Sequence, residues 1–569
     1  MFLQKGKDPS FWAKVRTEEK YESIRHEMHD IWEKDALATL EVLSFSDFML
    51  FSTTGDRKIY ETAYFRRRRG MDAAAILALL YPEEPKYIER LQDIIFAICD
   101  EYTWSVPAHQ PTFEENLTDH LDLFATETGF ALCEIEYLLG DRLAPLVVNR
   151  IRANVDRRII LPYTDTSRDF WWYRSTNNWS AVCMCGVAAC IMYHKPELFA
   201  SLKPRFDATM DYFLSGFGDD GFCTEGIGYW NYGFGFFVTY ADLVREFTHG
   251  ECDMFRLPKV KQIATFMQKM FLSDSATVSF SDGQRRSGLR MGLMHYLHTE
   301  YPDAVCLPLA KASALCDNCG RWCLLVRSII WLRDDIDTAT SDNVERMIYA
   351  PDAEWYLYKT NHYGFAAKGG HNEESHNHND IGHFILAKDG HQVFCDLGSG
   401  LYNRDYFRGQ RYTFLHCASF GHSVPYFGTS ANVRDAILQK NGLQFCASNV
   451  KAEDSSFSID MAKAYGHPDV RSALRTFRLE DDALSLEDTF AVTEGLAITE
   501  RFVLLKEPTK IEGGFEVDGM ICHTSDCEWL HIEKQNTQEH NGSILPVWFV
   551  DVRLAPHSTN FTLHIHLAK

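Results

Sequence analysis

From Ser375 to Gly398 the chain reads Ser375-His376-Asn377-His378-Asn379-Asp380-Ile381-Gly382-His383, then Phe384-Ile385-Leu386-Ala387-Lys388-Asp389-Gly390-His391-Gln392-Val393-Phe394, then Cys395-Asp396-Leu397-Gly398. The middle segment decides the fold of this half of the chain. Two apolar runs flank Asp389-Gly390, and Asp-Gly between such runs signals a hairpin, because the tight turn needs positive φ at its centre. The first segment is dense in imidazole beside a carboxylate. Histidine changes charge near neutral pH and is the commonest metal ligand. Catalysis, a metal, or both are the leading readings. A solvated histidine-rich loop is the plain alternative, and the apolar strand that follows at once argues against it.

The period of two continues toward the C-terminus. Phe457, Ile459 and Met461 alternate with Ser456, Ser458 and Asp460, and Phe561, Leu563, Ile565 and Leu567 alternate with Thr562, His564 and His566. Phe477 and Leu479, then Asp481-Asp482, then Leu484 and Leu486 mark another hairpin. Such alternation buries one face of a sheet, so residues 341–569 are expected to form an antiparallel β-sandwich. Toward the N-terminus the period becomes three to four. Tyr87, Ile88, Leu91, Ile94, Ile95 and Ile98 form one helical stripe, and Leu121 to Leu139 holds another. Ala181 to Tyr193 is apolar on nearly all sides and reads as a buried helix. Loops rich in glycine, aspartate and aromatic residues separate these segments, so residues 1–340 are expected to be a helical array or toroid. The class is α+β and multidomain, as a chain of 569 residues requires.

The formal net charge is −22 at pH 7, which argues against nonspecific binding to nucleic acid or an anionic membrane. Cations are nevertheless grouped locally, at Arg66 to Arg69, at Arg285, Arg286 and Arg290, and at Arg404, Arg408 and Arg411. The last group follows the histidine run and suits an anionic ligand. No apolar run reaches the length of a membrane-spanning helix. The N-terminus has no apolar core of signal-peptide length, and the 16 cysteines lack disulfide-framework spacing, so reduced thiols and a cytoplasmic location are expected. A leader removed from the chain would place it in the periplasm or outside the cell.

In an extended strand, alternate residues share a face, which would put His376, His378 and Asp380 together. The turn at Asp389-Gly390 returns Asp396 beside His383. His416 and Gly421-His422-Ser423 supply further imidazoles. Two histidines and a carboxylate suit zinc or manganese, and this region holds more candidates than one metal needs. Two helical-half motifs stand out: Asn177-Asn178-Trp179, and Glu225-Gly226-Ile227-Gly228-Tyr229-Trp230-Asn231-Tyr232. Asparagine is a good helix cap, but capping needs only one of the pair.

Taken in order, Asn177-Asn178-Trp179, Glu225-Gly226-x-x-Tyr229-Trp230, His376-x-His378-x-Asp380-x-Gly382, Asp396-x-Gly398 and Gly421-His422-Ser423 resemble the heparinase II/III-like polysaccharide lyases, including related alginate lyases. Trp104 to His109 and Leu121-Asp122-Leu123-Phe124 also look like that family. The resemblance implies an N-terminal (α/α) toroid, a C-terminal antiparallel β-sandwich and β-elimination beside a uronic acid. It implies Asn178 on the uronate carboxylate, Tyr229 as base, acid or both, and His376 as a second acid/base or a carboxylate partner. It implies His378, Asp396 and His422 as ligands of a structural divalent metal. His109, Asn177, Trp179, Glu225, Trp230 and Tyr232, with Arg404 and Arg408, are expected at the substrate. Tyr232 is also the alternative catalytic tyrosine, and His383 has no assigned role.

The expected activity is therefore a lyase on uronate-containing glycosaminoglycans of the hyaluronan, chondroitin or heparan type, with alginate as the alternative substrate. A toroid glycoside hydrolase would need two flanking carboxylates, Glu225 with Asp219 or Asp220, and leaves the histidines without a task. A metal-containing carbohydrate-binding protein would bind sugar without turnover.

Overall fold

The computed structural model describes residues 3–567 except 111, 114–115, 306–314, 334–344, 431 and 526. The expected boundary at 340/341 lies outside the described residues.

Local sequence accounts for the helices. Pro85 opens the Pro85–Cys99 helix, whose Tyr87, Leu91, Ile94, Ile95 and Ile98 are buried. Asp122 caps Leu123–Leu139 by accepting a hydrogen bond from Ala125 N–H at 2.7 Å. Asn178–His194 is buried on nearly every side because it packs against Leu123–Leu139, Phe199–Ser215 and Gly235–Phe247. Its Gly186 has no room for a side chain, since a Cβ there would lie 2.7 Å from the Thr126 carbonyl oxygen. The last described helix of this half, Trp322–Ile330, packs on Leu123–Leu139 and Lys58–Leu80. Lys5 Nζ donates to the carbonyls of Ile330 and Leu332 at 2.9 Å, which ties the start of the array to its end. The helices thus form an (α/α) toroid. Among the described residues, no helix is long and apolar enough to cross a membrane.

Among the described residues, the second half is a β-sandwich whose two antiparallel sheets have eight and nine strands. Phe457, Phe477, Leu486 and Phe561 of one sheet pack against Phe365, Phe384, Phe394 and Phe502 of the other. The hairpin Phe384–Lys388 to His391–Phe394 turns at Asp389 (φ 49°) and Gly390 (φ 76°), the conformation Asp-Gly favours. The strands Trp355–Lys359, Gly364–Lys368 and Phe384–Lys388 are buried on both faces. Their outer face carries Trp355, Leu357, Ala366, Ile385 and Ala387, which belong to the same apolar cluster as the toroid helices. This apolar contact fixes the two halves relative to each other.

Candidate active site

The histidine run is a loop and not an extended strand, so alternation does not place its side chains, and His376 adopts φ 60°. His376 and His378 converge nonetheless, because both bond to one carboxylate from the helical half. His376 Nδ1 lies 2.7 Å from Asp282 Oδ2, and His378 Nε2 lies 3.1 Å from Asp282 Oδ1. Tyr406 Oη donates to Asp282 Oδ1 at 2.7 Å, and Arg411 Nη2 to Oδ2 at 3.2 Å. Burial opposes the charge of Asp282. Arg411 and the hydrogen bonds from His376 and His378 outweigh it and hold the carboxyl well below the usual range. An ionised Asp282 can only accept, so His376 Nδ1 is the donor in that bond.

Behind this layer lies a buried group of four: His378, Asp380, Asp396 and His422, with one ligand atom from each all within 4.8 Å of one another. Each residue spends one atom on the protein. His378 Nε2 faces Asp282, Asp380 Oδ1 takes Lys368 Nζ at 2.7 Å, Asp396 Oδ1 takes Gly398 N–H at 2.7 Å, and His422 Nε2 donates to the His416 carbonyl at 2.9 Å. The other atoms, His378 Nδ1, Asp380 Oδ2, Asp396 Oδ2 and His422 Nδ1, are buried without a hydrogen-bond partner. Four orphaned acceptors facing one point, each oriented by a partner behind it, fit a metal ion. His383 does not fit as a ligand. Its Nδ1 accepts Ser423 N–H at 2.9 Å, so Nε2 carries the proton and points at Asp396 Oδ2, 3.3 Å away. The hairpin register brings it beside Asp396, but its Nε2 makes no hydrogen bond there. Arg475, itself paired with Asp488 and Glu500, donates to the carbonyls of Gly382 (3.0 Å) and Ser423 (2.7 Å), and so clamps the two ligand-bearing loops together.

The helical half supplies the opposing wall. Asn177 is the N-cap of Asn178–His194, its side chain accepting from Trp179 N–H at 3.1 Å. Capping therefore occupies Asn177, expected at the substrate, and leaves the side chain of the buried Asn178 for another task. The Asn178 backbone N–H bonds to Glu225. Burial pushes the Glu225 carboxyl up to about 7, against the pull of His376 and of that N–H. Glu225 Oε2 is buried without a hydrogen bond, 3.8 Å from His376 Nε2. The Tyr229 ring stacks on His376 at 4.0 Å between centroids, and its hydroxyl lies 3.2 Å from that of Tyr402, a sheet-side loop residue. Burial, with Asp282 nearby, raises the Tyr229 pKa and keeps it a phenol.

Other expected residues are placed differently. Tyr232 donates to Glu127 and lies under Arg321, whose guanidinium is 4.0 Å from its ring, so Tyr229 and not Tyr232 faces His376. Trp230 is fully buried in the toroid core with its N–H on the Ile263 carbonyl at 2.8 Å, which removes it from the substrate set. His109 bonds to Asp122 at 2.8 Å and packs edge-on against Trp179 at 4.8 Å, thereby supporting that ring. Trp179 also packs against Trp171, which is 57% exposed and offers an aromatic face that the motifs did not single out. Arg404 bonds the Ser52 carbonyl at 2.9 Å, and Arg408 is exposed. Arg411 is the member of that group that enters the site. Asp282 and Tyr402 had no motif to mark them.

A model of the heparinase II/III-like C-terminal domain matches residues 343–553. That match covers the sheet half of the chain. The chain as a whole shares its fold with solved structures at low identity. The heparan sulfate lyase HepC mutant from Pedobacter heparinus is 11% identical, with 95% of this chain and 82% of that one covered at a TM-score of 0.60. Heparinase III is 12% identical, with coverage of 89% and 77% and a TM-score of 0.60. The Streptomyces coelicolor A3 chondroitin AC lyase in complex with chondroitin sulphate is 10% identical, with coverage of 98% and 82% and a TM-score of 0.56. No curated protein sequence matches the chain.

Proposed function

We propose that this protein is a polysaccharide lyase that cleaves uronate-containing glycosaminoglycans by β-elimination. The observation that carries the proposal is the stacking of Tyr229 on His376 with Asp282 behind and Glu225 beside. The C5 proton of a uronate is scarcely acidic beside an ionised carboxylate, so that carboxylate needs hydrogen-bond donors. Asn178 and the neutral form of Glu225 are such donors. His376 Nε2 takes the C5 proton while Asp282 stabilises the imidazolium that forms. The electron pair becomes the C4–C5 double bond, and the C4–O4 bond breaks. Tyr229, held as a phenol, gives its proton to the leaving oxygen. His376 as general base and Tyr229 as general acid are each worth on the order of 10²–10⁴ in rate, and Asn178 with Glu225 forms the carboxylate clamp.

A divalent metal, zinc or manganese by donor type, would be held by His378, Asp396 and His422 with Asp380 as fourth ligand. There it would supply positive charge that fixes the sheet wall of the cleft. Heparan sulfate and chondroitin lyases among the structures of similar fold support a glycosaminoglycan over alginate. The hydrolase alternative loses its second carboxylate. Asp220 Oδ2 accepts the N–H groups of Asp352 (2.8 Å) and Ala353 (3.1 Å), and Asp219 lies beside it at that contact.

The deciding experiment is incubation with hyaluronan, chondroitin, heparan and alginate, followed in the ultraviolet. Elimination creates an absorbing unsaturated uronate, and hydrolysis does not. Cleavage without absorbance, or binding without cleavage, refutes the proposal.

A further inference from the structure

Resting on that lyase reading, we infer that one end of the cleft is closed and that the enzyme works from a chain end, with Arg57 binding the anionic group of the terminal sugar. The closing element is the corner Gly55-Asp56-Arg57 between the helices Phe45–Thr54 and Lys58–Leu80. It belongs to the toroid but touches the sandwich at two points. Arg404 Nη1 donates to the Ser52 carbonyl at 2.9 Å and Arg404 N–H to the Gly55 carbonyl at 3.4 Å. Gly55 has φ 84°, and a Cβ there would lie 3.3 Å from Arg404 Cβ, so the contact is close. Lys58 Nζ donates to the Asn541 carbonyl at 3.3 Å, at the tip of the hairpin Cys527–Gln538 to Ile544–Leu554.

That tip leads back to the chemistry. His540 lies edge-on to Tyr402 at 4.2 Å between centroids, and the Tyr402 hydroxyl is 3.2 Å from that of Tyr229. The Tyr402 loop, the hairpin tip and the helical corner therefore form a continuous wall on one side of Tyr229. A polymer bound in mid-chain must leave its site at both ends. With this wall standing, one side of Tyr229 admits a terminal sugar and not a continuing chain. Trp171, exposed beside Trp179 next to Asn178, belongs to none of the contacts that make this wall and offers a face along which a chain can extend.

Arg404 and Lys58 are spent on the wall's own contacts, whereas Arg57 is not. Its Nε donates to Glu61 Oε1 at 2.8 Å, and its side chain is 17% exposed. Its two terminal amino groups make no hydrogen bond among the described residues. A partly exposed guanidinium with two free amino groups matches the paired oxygens of a carboxylate or a sulfate. Glu61 holds the fork in place, a preorganised arrangement.

The test uses the full chain and a long polymer that yields ultraviolet-absorbing product. Double bonds are counted by absorbance while the polymer mass is followed by size-exclusion chromatography with light scattering. The expected result is accumulation of the smallest unsaturated product while the remaining polymer keeps its length. Early collapse of the mean mass with a ladder of intermediate sizes overturns the inference and leaves the lyase reading standing. Absence of absorbing product from every uronate polymer and oligomer overturns the lyase reading, and this inference with it. Arg57→Ala and Arg57→Gln should each raise KM at least tenfold with kcat nearly unchanged. Unsulfated and sulfated termini are compared to separate carboxylate from sulfate binding. A folded variant with unaltered KM on both removes Arg57 from the terminal subsite.

Discussion

Replacing Glu225 by glutamine isolates the buried acid of the cleft. The carboxyl would ordinarily titrate near 4.5 and is raised to about 7 by burial. A difference of about 2.5 units corresponds to about 3 kcal/mol at about 1.4 kcal/mol per unit. The sign follows from proton counting. Between 4.5 and about 7 the folded chain holds this proton and the unfolded chain does not. Stability from this group is thus fully present below 4.5 and is lost as pH rises through about 7. Glutamine cannot ionise, so Glu225→Gln should gain on the parent protein across that window by about 3 kcal/mol. Urea denaturation of both proteins at a series of pH values, followed by tryptophan fluorescence, reads the difference. Catalysis carries a second signature: KM for a uronate substrate should climb above about pH 7 in the parent, where an ionised Glu225 repels the substrate carboxylate, and stay flat in the variant. Parallel stability curves would show that Glu225 ionises normally in the fold, and the donor role argued for it would fall.

Tyr229→Phe should lower kcat by about 10²–10⁴ with an unchanged circular dichroism spectrum, whereas Tyr232→Phe should retain the larger part of the activity. The reverse ranking would move the general acid to Tyr232. His378→Ala should reduce bound metal by elemental analysis, because it removes one of four converging ligand atoms. Full metal content in that variant would remove His378 from the ligand set. Trp171→Ala should raise KM several-fold with little change in kcat, since an exposed stacking face contributes binding and not proton transfer. An unchanged KM would leave the platform without a role.

Much of the fold is legible in the residues themselves. The Asp389-Gly390 turn and its flanking apolar runs define a hairpin because turn chemistry and side-chain alternation act over a few residues. That register also brings Asp396 to His383, as the 3.3 Å contact shows. The dense apolar stretch from Ala181 to Tyr193 reads as a buried helix for the same local reason. The site is only partly legible. Asn177 and Asn178 differ by one position, yet one caps a helix with its side chain and the other is buried in the helix's first turn. Trp230 sits in a motif with Tyr229, but helical geometry turns the two side chains apart, one into the core and one onto His376.

The sequence alone determined the two classes of secondary structure, the hairpin register and the residue types available for acid–base and metal chemistry, since each depends on neighbours within a turn or a strand. Tertiary structure alone decided which groups meet. Asp282 reaches His376 and His378 from a loop more than ninety positions upstream, at |i−j| of 94 and 96. Arg411 rather than Arg404 or Arg408 joins it, and Tyr402 of the sheet half meets Tyr229 of the toroid. Those meetings follow from the outer face of the sandwich, where Trp355, Leu357 and Ile385 are buried against the helices. Burial of that apolar face sets the relative position of the two halves, and no local pattern of residues encodes it.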